Sequence, residues 1–249
     1  MVDNPFSLEG KTIFITGASC GIGRAVAIEC SKMGADLLIT GRDKSRLDET
    51  FAELKKGNHQ KFITELREPA KVENLVKLLP NIDGAVLNAG ITEIQPVGFI
   101  KPETLQSVID INTISPILMT NQLVKLKKMK KPSSIVFTSS VAGVFNSSVG
   151  NSIYSTSKGA LHAFMKNAAL ELAIKGIRCN SVNPGLVSTK LLDQAGITQI
   201  QRKELAKQYP LKRLGHPEDV AHAIIYLLSN ASNWVTGTSL VIDGGYTLH

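Results

Sequence analysis

The chain has 249 residues, 43% hydrophobic and 20% charged, with a formal net charge of +7. That balance belongs to a folded globular protein and excludes a disordered or low-complexity chain. Its longest apolar run, residues 223–228, falls far short of the ~20 residues that span a bilayer, so no membrane partner is expected.

The first ten residues have neither a basic segment nor an apolar one, so no secretory signal is read and a cytoplasmic location is expected. Three cysteines, Cys20, Cys30 and Cys179, form no CxxC pair, which points to a reducing compartment. The five histidines fall at no metal-ligand spacing, so no metal is expected. A basic chain can bind nucleic acid. The one dense basic run, 125–131, has no aromatics to stack on bases and precedes Pro132, so it reads as cations at a helix C-terminus. No nucleic-acid partner is expected.

Strand and helix patterns alternate from end to end. Residues 11–16 form a β-rich run, followed by a glycine-rich turn and an amphipathic helix through Lys32. A strand over 36–40 leads to a helix over 43–55, with Leu47, Phe51 and Leu54 at helical spacing. A strand at 61–65, a helix at 70–79 and a strand at 84–88 follow. One long helix is expected over 101–131, broken near Ser115-Pro116. The remainder reads as a strand at 134–138, a helix at 154–175, a strand at 177–182, helices over 191–208 and 218–229, and a last strand at 239–242. This order predicts an α/β fold: a single doubly wound (Rossmann) domain over 1–249, with a mostly seven-stranded parallel sheet and helices on both faces. Ligands of such sheets sit at the carboxyl ends of the strands, near the point where strand order reverses.

Tyr154 and Lys158 are four apart on a predicted helix and therefore share a face. A phenol titrates near ~10 and a lysine near ~10.4. A cation beside the phenol favours the phenolate, so Lys158 is expected to lower the pKa of Tyr154 and make it a proton donor and acceptor. The first βα turn reads Thr16-Gly17-Ala18-Ser19-Cys20-Gly21-Ile22-Gly23. Glycines there let a backbone approach a pyrophosphate, and the helix N-terminus supplies N–H groups for the anion. The second strand ends at Arg42. An acid at that point suits the ribose hydroxyl of NAD, whereas an arginine suits a 2′-phosphate. Asp43 reads as a cap of the next helix, so NADP(H) is favoured over NAD(H).

The glycine turn, Asn88-Ala89-Gly90, Asn112, Ser140, Tyr154 with Lys158, Asn183-Pro184-Gly185 and Ile242-Asp243-Gly244-Gly245 together resemble the short-chain dehydrogenase/reductase family over residues 8–246. Within it the chain is most similar to 3-oxoacyl-[acyl-carrier-protein] reductases. The resemblance implies that Tyr154 exchanges a proton with the carbonyl or alcohol oxygen and that Ser140 hydrogen-bonds the same oxygen. It implies that Lys158 holds the nicotinamide ribose, and that Asn112 kinks its helix and holds a proton-relaying water. It also implies a cofactor cleft of Gly17, Ser19, Cys20, Gly21, Ile22, Gly23, Arg42, Glu65, Leu66, Asn88, Ala89, Gly90, Tyr154, Lys158, Pro184, Gly185, Val187 and Thr189. The family's Asn-Asn-Ala-Gly is here Leu87-Asn88-Ala89-Gly90, and one extra residue separates Ser140 from Tyr154. Ser139 is the alternative to Ser140.

The expected product is an NADP(H)-dependent reduction of a carbonyl, or its reverse, with a 3-oxoacyl thioester as substrate; the alternative is a sugar, steroid or small secondary alcohol. The substrate is a small molecule or an acyl group on a carrier protein, and the 125–131 run could steer an acidic carrier. Residues 93–99, 145–153 and 186–208 should wall the pocket, with a lid near 186–210 made partly apolar by Leu191, Leu192, Ile197 and Ile200. The family implies a homotetramer. Leu161, Phe164, Met165, Ala168, Ala169 and Leu172 give the helix after Tyr154 apolar positions for the sheet and for such an interface. A non-catalytic dinucleotide-binding regulator is the rival of another class, and its mark would be a broken Tyr/Lys pair.

Overall fold

A computed structural model describes residues 4–189 and 198–248. Strand β1, Thr12–Thr16, shows how the sheet divides the core. Successive side chains of a strand point to opposite faces. Ile13 and Ile15 accordingly pack in one buried cluster and Phe14 in the other. The remaining strands are β2 (Asp36–Gly41), β3 (Gln60–Ile63), β4 (Ile82–Leu87), β5 (Met129–Thr138), β6 (Ile177–Pro184) and β7 (Ser239–Ile242). They form one seven-stranded sheet in the order β3-β2-β1-β4-β5-β6-β7, and every described pairing is parallel. The order reverses between β1 and β4, which opens a crevice at their carboxyl ends.

The helices are α1 (Gly21–Lys32), α2 (Lys44–Ala52), α3 (Pro69–Leu78), α4 (Pro102–Ile109), α5 (Ser115–Lys125), α6 (Ser152–Ala173), α7 (Gln199–Lys207) and α8 (Pro217–Leu228). Residues of α3, α5 and α6 fill the cluster that holds Phe14, while α1 and α8 fill the one that holds Ile13. Asp43 caps α2 by accepting from the Arg46 N–H at 3.0 Å, as expected.

The long helix expected over 101–131 is three pieces. A π-helical turn, Asp110–Ile114, joins α4 to α5. Pro116 has no N–H to give the carbonyl four residues back, so the α-helical register fails at Asn112. The helix ends at Lys125 and the chain turns through Lys127, at φ 54°. Lys128 Nζ donates to the Lys77 and Leu79 carbonyls, and Lys130 pairs with Asp83 at 2.8 Å. Met129–Thr138 is already strand. Its first residues are bulged against β4, so that Met129–Ser134 faces only Ile82–Gly84, and at ~3.3 Å per residue its amino end lies ~20–25 Å from the serines that follow Thr138. Within one protomer the basic run is therefore remote from the crevice.

The strand at 61–65 ends earlier, at Ile63, and the helix expected over 191–208 is described only as α7. Leu191, Leu192 and Ile197 lie outside the described residues. Among the described residues no helix is long and apolar enough to cross a membrane.

Candidate active site

The carboxyl ends of β1, β4, β5 and β6 bring the sequence motifs together. After β5 the chain runs Ser139-Ser140-Val141-Ala142-Gly143 and lies on the first turn of α6. Gly143 takes φ +80°, and a Cβ there would sit 2.0 Å from the Ser155 carbonyl oxygen. Only a glycine permits this approach. It seats the Ser140 loop against the helix that carries Tyr154 and Lys158.

The two serines diverge. The Ser139 hydroxyl bonds the Lys158 carbonyl at 3.2 Å. The Ser140 Oγ accepts from the Ala142 N–H at 3.1 Å, which leaves its own proton to donate. The Ser140 hydroxyl also stands close enough to the Tyr154 phenol to lower its pKa. Lys158 is buried, with its ammonium donating to the Thr138 carbonyl at 2.8 Å and lying 5.7 Å from the centre of the Tyr154 ring.

The protonation states differ from the sequence expectation. Burial pushes the Tyr154 phenol above its ordinary value, and the Ser140 hydroxyl only partly opposes this. Burial also lowers Lys158 to about 8. The lysine does not depress the tyrosine here; its proton is directed at Thr138, and desolvation of the phenol prevails.

Asn112 is fully buried in the π-helical turn. Its side chain donates to the Ile91 carbonyl and accepts from the Ile91 N–H, both at 2.9 Å, and donates to the Ser157 hydroxyl at 3.0 Å. It thereby clamps the loop after β4 to α6. A Cβ on Gly90 would lie 3.2 Å from Asn112 Oδ1 and 3.5 Å from Lys158 Nζ, so the three positions meet at one point.

The glycine turn meets the geometric demands of a pyrophosphate. A Cβ on Gly23 would fall 2.3 Å from the Gly17 carbonyl oxygen and 2.5 Å from Asn88 Nδ2. Cys20, the N-cap of α1, makes no side-chain capping bond, and the first turn holds no acid. The first N–H groups of a helix have no acceptor within it, so those of α1 are available to an anion. Thr189 Cγ2 stands 3.3 Å from a Cβ built on Gly21, which brings the chain after β6 over this turn. Ser19 Cβ is 3.1 Å from a Cβ on Gly41, so the same turn abuts the end of β2 beside Arg42.

Arg42 is exposed, 3.9 Å from Glu65. Burial pushes the Glu65 carboxyl up, but hydrogen bonds and charge from Arg67, with Arg42, outweigh it and hold the group low. Leu66 packs its side chain into the core rather than into the cleft. The Asn88 amide is likewise committed, donating to the Thr16 carbonyl at 3.2 Å, so it braces the turn. Gly185 N–H donates to the Ile242 carbonyl at 3.1 Å, and Val187 forms a bridge with Gly215.

A family model described as enoyl-(acyl carrier protein) reductase matches residues 17–247. The chain is 33% identical over 238 residues, covering 96% of itself and 97% of the relative, to the 3-oxoacyl-[acyl-carrier-protein] reductase FabG of Rickettsia prowazekii. Its fold superposes on a short-chain type dehydrogenase/reductase from Mycobacterium marinum with TM-score 0.88 at 32% identity, covering 98% of each chain. A putative 2-deoxy-d-gluconate 3-dehydrogenase of Agrobacterium tumefaciens, with bound NADP, gives TM-score 0.89 at 27% identity, covering 99% of this chain and all of that one. The chain belongs to the short-chain dehydrogenase/reductase family.

It is an oxidoreductase of that family. Sequence reasoning missed three residues of the site. The Thr16 hydroxyl accepts from the Asn88 and Ala89 N–H groups at 2.9 and 3.1 Å, tying β1 to the loop after β4. Ser157, next to Lys158, bridges Asn112 to the Tyr154 carbonyl at 2.7 Å. Asn183 Nδ2 donates to the Ser140 carbonyl at 2.9 Å. Thr16 and Asn183 belong to the glycine turn and the Asn-Pro-Gly motif and Ser157 precedes Lys158, but only the fold reveals the partner of each.

Proposed function

We propose that the protein is an NADP(H)-dependent reductase of 3-oxoacyl thioesters, with Asn112, Ser140, Tyr154 and Lys158 as its catalytic group. The observation that carries this reading is the meeting of Ser140, Tyr154 and Lys158 at the carboxyl ends of the strands, beside the glycine turn of α1. Bound along that turn, the cofactor supplies the hydride. The N–H groups of α1 hold its pyrophosphate, Arg42 holds the 2′-phosphate, and Val187 and Thr189 close over it.

Reduction turns a carbonyl oxygen into an alkoxide-like one. Ser140 donates a hydrogen bond to it and Tyr154 gives it a proton. A phenol held above its ordinary pKa stays protonated at neutral pH, which suits the reducing direction. Lys158 holds the ribose, and Asn112 fixes the π-helical turn whose freed carbonyl holds water behind it.

The substrate class follows from the pocket walls. The Gln95 N–H donates to the Gly150 carbonyl at 2.8 Å, which joins the loop after β4 to the loop before α6. Ile94, Phe145 and Val149 on these loops are exposed and apolar. An acyl chain suits such walls better than a sugar acid does. The acyl group arrives as a small thioester or on a carrier protein, and the described residues 198–210, which include α7, act as lid. The protein acts in the cytoplasm as a homotetramer. On α6, Leu161, Met165, Ala168, Ala169 and Leu172 are buried in the core, whereas Leu170, Ile174 just past the end of the helix and Trp234 are exposed for a partner.

Loss of NADPH absorbance should be followed with acetoacetyl and longer 3-oxoacyl thioesters, and with keto sugar acids. The reading requires the thioesters to be preferred. A preference for the sugar acids would replace it with the dehydrogenase alternative.

A further inference from the structure

A line of polar side chains runs from the Ser140 peptide to the surface of α6. Asn183 Nδ2 donates to the Ser140 carbonyl at 2.9 Å. Asn183 Oδ1 lies 2.9 Å from the Ser181 hydroxyl, which lies 3.3 Å from the Ser239 hydroxyl. Ser239 lies 3.1 Å from His162 Nδ1. Asn183 and Ser181 are fully buried, and Ser239 and His162 are half-buried.

Counting protons leaves one assignment that satisfies every contact. The Ser140 carbonyl can only accept, so the amide nitrogen of Asn183 faces it and the amide oxygen faces Ser181. That oxygen can only accept, so it takes the single proton of Ser181. The Ser181 oxygen must then accept from Ser239, and Ser239, its proton spent, must accept from His162. If Ser239 instead donated to the histidine, the two serine oxygens would face each other with no proton between them. Burial, reinforced by the Lys166 charge, lowers the pKa of His162, so the ring is neutral at physiological pH and its tautomer completes the chain.

The inner end of the chain meets the reacting group. The Ser140–Val141 peptide is held at both ends by β6: its carbonyl by Asn183, and its N–H by the Pro184 carbonyl at 3.1 Å. We infer that Asn183 is a positioning residue for Ser140, and that Ser181, Ser239 and His162 fix its carboxamide through a one-way chain of donors that begins at the Nδ1–H of neutral His162. Such chains polarise each member in turn and hold a single orientation.

The kinetic part of the test rests on the reductase reading; the spectroscopic part does not. In 15N NMR above the histidine titration range, His162 should be the Nδ1–H tautomer, and Ser239→Ala should release it to Nε2–H. An Nε2–H ring in the unsubstituted protein would overturn the chain. In the NADPH assay, Ser181→Ala should lower kcat ~3–10-fold, the worth of one net hydrogen bond, with the Kd for NADPH unchanged. His162→Leu should lower kcat in the same direction, and His162→Asn, whose amide puts an N–H near the Nδ1 position, should restore it. Unchanged kcat in Ser181→Ala, or equal behaviour of the two His162 variants, would refute the positioning role. Should the unsubstituted protein reduce no carbonyl, the functional reading fails while the tautomer still decides the chain.

Discussion

Lys158 should weaken the fold that it serves. The residue is 3% exposed, and burial lowers its pKa from 10.5 to about 8. At ~1.4 kcal/mol per unit, this amounts to a cost of ~3 kcal/mol for keeping the charge inside the folded protein at neutral pH. The hydrogen bond to the Thr138 carbonyl returns ~1 kcal/mol when the group is neutral or charged. Lys158→Met keeps the length and removes the charge. It should abolish carbonyl reduction and stabilise the chain by ~1–2 kcal/mol at neutral pH, read as a rise of several degrees in Tm. The sign of the pH dependence follows from the direction of the shift. Between about 8 and the ordinary lysine value, the unfolded lysine binds a proton that the folded one has lost, so the unsubstituted protein gains stability as pH rises. The advantage of Lys158→Met should shrink across that window and, above it, reverse by the ~1 kcal/mol of the lost Thr138 hydrogen bond. Urea unfolding of both proteins as a function of pH reads this difference directly. A variant less stable at neutral pH, or a pH-independent gap, would refute the claim that Lys158 is a strained, buried cation.

Arg42→Ala should raise the KM for NADPH ~10–100-fold, the worth of a charge-assisted hydrogen bond, and leave the KM for NADH unchanged, measured in parallel assays. Gly23→Ala should abolish cofactor binding in a fluorescence titration, because the added methyl would lie 2.3 Å from the Gly17 carbonyl oxygen. Cys20→Arg, one residue past Ser19, which abuts the end of β2, should tighten NADPH and not NADH, since it adds a second cation near the 2′-phosphate.

Much of this was legible in the chain because both periodicity and chemistry repeat locally. Ile13, Phe14 and Ile15 announce a strand buried on both faces, and the glycine turn, Arg42 and Tyr154 with Lys158 carry their meaning in short spacings. The order of alternating elements then yields the seven-stranded parallel sheet. What escaped depends on contacts between distant segments. The break near Pro116 and the kink at Asn112 were legible, but the clamp of Asn112 on Ile91 and Ser157 that fixes them was not. The choice between Ser139 and Ser140 turns on which hydroxyl finds the α6 backbone. The phenol of Tyr154 follows its burial, which the spacing to Lys158 does not encode. The 125–131 run looked like a helix end, yet three of its residues already open β5.

The account turns on Tyr154 as the proton donor to a reduced carbonyl. NADPH oxidation by Tyr154→Phe, with a 3-oxoacyl thioester and with the Kd for NADPH measured on the same sample, tests it most directly. The account predicts unchanged NADPH binding and a kcat lower by ~100-fold or more, the range of general acid catalysis. Full activity in Tyr154→Phe would contradict it.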